Sequence, residues 1–230
     1  MNAYTKQLVT TFRGYENKEL AGPMEAYMRN QFPFLGIKTP ERKAIFREFL
    51  KQYSKPELED LPAIVKELWH QPEREFQYIA LALLEKQLKN LDPSYLLLLE
   101  KLIVEKSWWD TVDAIASNFI GKLLLKYPDE IEPYTRKWIM DENIWLNRTS
   151  ILYQLSYKAK TDEVRLYEYI LQHNESEEFF IQKAIGWALR EYSKIAPESV
   201  VRFINKEELK PLSKREGLKY LKKKEKERVQ

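Results

Sequence analysis

The chain has 230 residues, 38 basic against 35 acidic side chains, a net charge of +3 and no cysteine. Disulfides, thiolate metal sites and a cysteine nucleophile are therefore excluded, and any basic surface must arise from arrangement, not from excess charge. With 32% charged residues and only 6 glycines, the composition favours helices over the turns that sheets require.

No apolar run approaches the roughly 18 to 20 residues that span a bilayer, and the start MNAYTKQLVTTFRGYENKEL lacks the apolar stretch of a signal peptide. The expectation is a cytoplasmic protein without a membrane partner. Along the chain, helix entries are marked by Thr39 before Pro40, Ser54 with Glu57, Ser107 with Asp110 and Ser213 with Glu216. Between them, residues 74–87, 111–127, 145–158 and 178–194 place apolar residues at helical spacing, and no segment alternates as a strand. His70 and His173 stand far apart beside ordinary polar neighbours, which predicts two surface histidines and no metal cluster.

A repeat runs through these helices. The small or apolar steps Ala80/Leu84, Ala116/Ile120, Ile151/Leu155, Ala184/Ala188 and Leu218 recur at offsets of about 33 to 36 residues, the period of stacked helix pairs that cannot bury their apolar faces alone. The predicted fold is an all-α solenoid with one concave face. The absence of a glycine- or serine-rich linker predicts a single domain over residues 1–230, with the charged end LKKKEKERVQ fraying over about its last eight residues. Nothing in the sequence calls for more than a monomer.

Trp109 and Asp113 are four apart and share one helix face. Taken alone, they read as a core aromatic and a solvated acid near a helix N-terminus. Arg148 follows Asp113 by 35 residues, one repeat, so stacking would bring the two side by side; alone it reads as half of a structural ion pair. One repeat further, Trp187 stands before Arg190 and Lys194 in a run that by itself reads as core. Together these residues would give a concave face two indoles, one carboxylate and several cations, suited to a polyanion with stackable or cationic parts.

The stretches YMRNQFPFLGIKTPERK (27–43), SWWDTVDAIA (107–116), WLNRTSILYQL (145–155), EEFFIQKAIGWALREYSK (177–194) and LSKREGLKYL (212–221) closely resemble the AlkD-like DNA alkylation repair family, over nearly the whole chain. The resemblance implies HEAT-like repeats and a glycosylase that excises N3- and N7-alkylated purines from double-stranded DNA without cofactor or metal. Carried over by position, it implies a catalytic carboxylate at Asp113, an aromatic pair at Trp109 and Trp187, and an arginine at Arg148 that grips the phosphate beside the lesion. Tyr27 falls in the family's N-terminal motif and, with Arg148, Arg190 and Lys194, is expected to contact DNA. The resemblance also implies catalysis without capture of the base in a fitted pocket. Two other readings stay open at this point: a relative that binds DNA structures without excision, and a helical scaffold for a protein partner.

Overall fold

The computed structural model describes residues 1–229, with side chains through Glu227. Among the described residues there are helices and no strands, as the composition and periodicity predict. The chain divides into two compact units, Met1–Leu91 and Asp92–Gln230.

The first unit holds α1 (Ala3–Arg13), α2 (Lys18–Tyr27), α3 (Thr39–Tyr53), α4 (Leu61–Trp69) and α5 (Arg74–Gln87). The bounds of α5 are those of the predicted segment 74–87, because its apolar residues Phe76, Ile79, Ala80, Leu83 and Leu84 form one fully buried stripe. Gln77 on α5 donates to the carbonyls of Trp69 and Gln71, 2.9 Å each, and so closes the C-terminus of α4.

The second unit opens with α6 (Tyr95–Val104) and a long helix built of α7 (Trp109–Ala114), a π-helical segment (Ile115–Ile120) and α8 (Gly121–Lys126). It continues through α9 (Ile131–Ile139), α10 (Ile144–Leu152), α11 (Glu163–Gln172), α12 (Phe179–Tyr192), α13 (Pro197–Lys206), α14 (Pro211–Gly217) and α15 (Lys219–Val229). The charged C-terminal stretch is helical as far as Val229; Gln230 lies outside the described residues.

The predicted period reappears in this unit as a ladder of contacts. Glu100 accepts from the indole of Trp138 at 2.6 Å, Thr135 meets Tyr169 at 2.7 Å, and the rings of Tyr167 and Phe203 stack at 4.0 Å, linking α6, α9, α11 and α13 in turn. Asp113 meets Arg148 between α7 and α10, and Ser213 donates to the Gln182 carbonyl at 3.1 Å between α14 and α12. These partners stand 31 to 38 residues apart, so each helix packs against its counterpart one repeat away. Asn147 repeats the device of Gln77, donating to the carbonyls of Trp138 and Asp141 at 2.9 Å each at the end of α9. Trp138 itself is fully buried, and truncating it to alanine would cost about 3 to 5 kcal/mol.

The predicted helix entries need correction. Ser54 ends α3 at φ +60°, and α4 begins only at Leu61. Ser107 turns its hydroxyl back to the Ile103 carbonyl at 2.6 Å, and Ser213 lies inside α14. Thr39 is the first residue of α3, after Lys38. The side chains that do cap are Asn2, Asn17, Asn143 and Asp162. A serine near a helix start satisfies whichever orphan group lies closest, and these found carbonyls of other turns. Likewise α10 stops at Leu152 short of the predicted 158. Its end is held against Gly121, where a Cβ would lie 2.2 Å from the Tyr153 carbonyl oxygen and where Tyr157 donates to the Gly121 carbonyl at 2.7 Å. His173 is half-buried, not on the surface, with Nε2 2.8 Å from the Ile139 carbonyl.

Candidate functional site

The site is built within the second unit. Trp108 approaches in extended conformation, and α7 starts at Trp109, one turn before Asp113. The helix then widens into its π-helical turns, where Ser117 takes up the Asp113 carbonyl at 2.8 Å. Such widened turns cost hydrogen-bond geometry and concentrate at functional places. Next to α7 the rings of Trp108, Trp145 and Phe180 form a triangle with centroids 4.9 to 5.9 Å apart, an apolar cluster beside the site. The indole nitrogen of Trp108 is buried there without a hydrogen-bond partner.

Arg148 joins three elements. Its Nε donates to Oδ1 of Asp113 at 2.7 Å and its Nη2 to Oδ2 at 2.8 Å, a two-pronged pair between α10 and α7. Its Nη1 donates to the Phe180 carbonyl in the first turn of α12. The arginine side chain is 5% exposed and the aspartate 15%. Burial raises the Asp113 carboxyl above its ordinary value, and Arg148 pulls it only part of the way back.

The aspartate faces a cavity of about 390 Å³ lined by Trp109, Asp113, Arg148, Phe179, Phe180, Lys183, Trp187, Arg190 and Glu216. Five predicted residues, Asp113, Trp109, Trp187, Arg148 and Arg190, are therefore brought together. Lys194 is not among the cavity's lining. It pairs with Glu191 at 2.6 Å, lies over the Tyr220 ring and borders a different, mainly apolar cavity beside Ile151 and Leu155. Tyr27 ends α2 in the first unit, strongly exposed.

Arg148 was expected at a phosphate; in the structure it is committed first to Asp113 and to a backbone carbonyl. Its register of 35 continues to Lys183, so the spacing that joins Asp113 to Arg148 points to this residue as well. The spacing of Ser213 and Glu216 predicts a capping box. The Glu216 carboxylate instead turns to α12, where it pairs with Lys183 at 3.1 Å and Arg190 at 3.6 Å. Among the described residues no group of three or more histidine, aspartate or glutamate side chains is placed to hold a metal ion, and no described helix is long and apolar enough to cross a membrane.

This arrangement can hold an anionic backbone with its cations, offer indole faces to a sugar or base, and present one desolvated carboxylate to positive charge. Residues 8–221 match the family model described as DNA alkylation repair enzyme. A solved structure, a predicted DNA alkylation repair enzyme from Enterococcus faecalis, is 36% identical with a TM-score of 0.84, over 90% of this chain and 96% of that one. No curated protein matches.

Proposed function

The chain belongs to the DNA alkylation repair enzyme family, and we propose from that premise that it is a monofunctional glycosylase of HEAT-like repeats. It hydrolyses the N-glycosidic bond of positively charged N3- and N7-alkylated purines in duplex DNA and leaves an abasic site. The observation that carries this reading is the Asp113 carboxylate, nearly buried, held in a fixed plane by Arg148 and facing a cavity between Trp109 and Trp187.

An alkylated purine already carries a formal positive charge, so it departs with the electron pair of the C1′–N bond and needs no proton from an enzyme acid. Charge then develops on the deoxyribose, and the carboxylate of Asp113 stabilises it without reorganising. Water adds to C1′, its oxygen forming the new bond and its proton passing by way of Asp113 to solvent. The indoles of Trp109 and Trp187 support the cationic sugar through their π faces. Arg148 holds the carboxylate in plane, and the remaining cations of the cavity face the phosphates. Selectivity then follows from leaving-group lability, so neutral damage such as uracil is left alone.

The test is release of free base from duplex DNA containing N7-methylguanine, by wild type and Asp113→Asn side by side without added metal. Release by wild type alone supports the reading. Release by neither sinks it, and full release by Asp113→Asn removes the role of the aspartate.

A further inference from the structure

The second carboxylate of the cavity has the opposite construction from the first. Around Asp113 the cation is the more buried partner, Arg148 at 5% exposure against 15% for the aspartate. Around Glu216 it is the anion: its side chain is 6% exposed, whereas Lys183 is 37% and Arg190 31% exposed. A buried carboxylate is costly unless paired, and the cations that pair with Glu216 stay about a third exposed, unlike the buried Arg148. Here the anion sits beneath and the two cations stand outward along the cavity wall.

The fold makes room for this. Lys183 and Arg190 are two turns apart on the same face of α12, with Gly186 between them. A Cβ at Gly186 would lie 2.4 Å from Cβ of Glu216 and 3.1 Å from the Ser213 carbonyl oxygen. The missing side chain is the notch through which α14 delivers Glu216 to the strip between the two cations. Lys219, on α15 and outside the cavity lining, closes the third side at 2.7 Å. Burial by itself would raise the Glu216 carboxyl, but hydrogen bonds from Lys219 and Lys183 outweigh it and hold the group below its ordinary value.

We infer that Glu216 is a positioning residue: its buried carboxylate clamps Lys183 and Arg190 in place before DNA arrives, and the two cations together hold the phosphate diesters next to the scissile nucleotide. Long basic side chains lose rotamer freedom when they bind, and a clamp that orders them beforehand removes that loss from the binding step. This rests on the reading of the cavity as a DNA site.

The experiment measures binding to a duplex with a tetrahydrofuran abasic site across a range of salt, and single-turnover release from N7-methylguanine DNA at saturating enzyme. Glu216→Gln weakens binding by about tenfold and makes the salt dependence shallower, and the rate at saturation falls less than the affinity. Glu216→Asp restores part of the loss. The double variant Lys183→Met/Arg190→Met reproduces the loss, and adding Glu216→Gln to it costs little more. Wild-type affinity in Glu216→Gln, a loss confined to the rate at saturation, or additive losses would overturn the clamp. If Glu216→Gln does not fold, the double variant decides, and wild-type affinity there overturns it too. Were wild type to bind this DNA with the predicted dependence on Glu216 and yet release no base, the glycosylase reading would fall and the clamp would stand.

Discussion

Two buried carboxylates, one in each unit, have the same electrostatic signature and different employment. Glu75, in the first turn of α5, is fully buried; it accepts from the backbone N–H groups of Leu35 and Gly36 at 3.0 Å and of Ile37 at 3.1 Å. Asp113 in the second unit is mostly buried, at 15% exposure, and pairs with a guanidinium. Desolvation raises the carboxyl of both, against hydrogen bonds that lower it. A perturbed carboxylate is thus not in itself the mark of a functional site. Glu75 gives its oxygens to its own backbone and pins the turn at Gly36, whose φ of +83° leaves no room for a side chain: a Cβ there would lie 2.0 Å from the Asn17 carbonyl oxygen. Asp113 holds one cation behind it and faces a cavity in front.

The sharpest break of this comparison is neutralisation at each site. Asp113→Asn is expected to lower base excision by about 10³-fold while DNA affinity stays level or rises slightly, because a negative charge facing a polyanion is removed. Glu75→Ala strands three buried N–H donors and should cost about 3 kcal/mol or more of stability, seen as a lower melting temperature. At a temperature where it remains folded, its excision should stay within about threefold of wild type. Loss of excision in a folded Glu75 variant would erase the distinction between the two carboxylates.

Arg148→Ala should act in both ways at once. It leaves Asp113 buried without its cation, at about 3 to 5 kcal/mol, and weakens both excision and DNA binding; a variant with wild-type stability would show the pair to be dispensable.

The smallest effect is the dependence on pH. Excision needs the ionised Asp113, so the rate should fall on acidification through a value above that of an ordinary aspartate, and measured rates of wild type should place that limb. For stability the sign is reversed from the usual carboxylate. A folded-state value above the unfolded one contributes stability that is fully present below the unfolded value and lost as pH rises through the folded one. Glu75 and Asp113 therefore favour the folded state under mild acid, whereas Glu216, held low, contributes stability present above its unfolded value and lost on acidification. Denaturant titrations of Glu75→Gln across this range should lack the first contribution. A slope like that of wild type would remove Glu75 as its source.

What could be read along the chain was whatever depends on regular spacing, within a helix or from one repeat to the next. The stripe of α5 from Arg74 to Gln87, the helical character throughout, the period of about 35 residues and the step from Asp113 to Arg148 all follow from spacing. The same spacing put Trp109, Trp187 and Arg190 on one face, the resemblance implied a role for the two indoles, and the cavity does gather them. The failures were of the other kind. Ser107, Ser213 and Glu216 carry cap spacing, yet Ser107 bonds the end of the preceding helix and the other two turn to α12. Lys194 continues the basic run after Trp187 and pairs with Glu191 outside the cavity lining, a half-exposed ion pair that neither makes nor breaks the expected contact with DNA.

Helix periodicity is written into the sequence because each turn is closed by residues three or four apart. Which partner a polar side chain takes was decided only by tertiary packing. Gly186 lets one helix sink against another, and that approach settles whether Glu216 caps its own helix or supports the cations of the next.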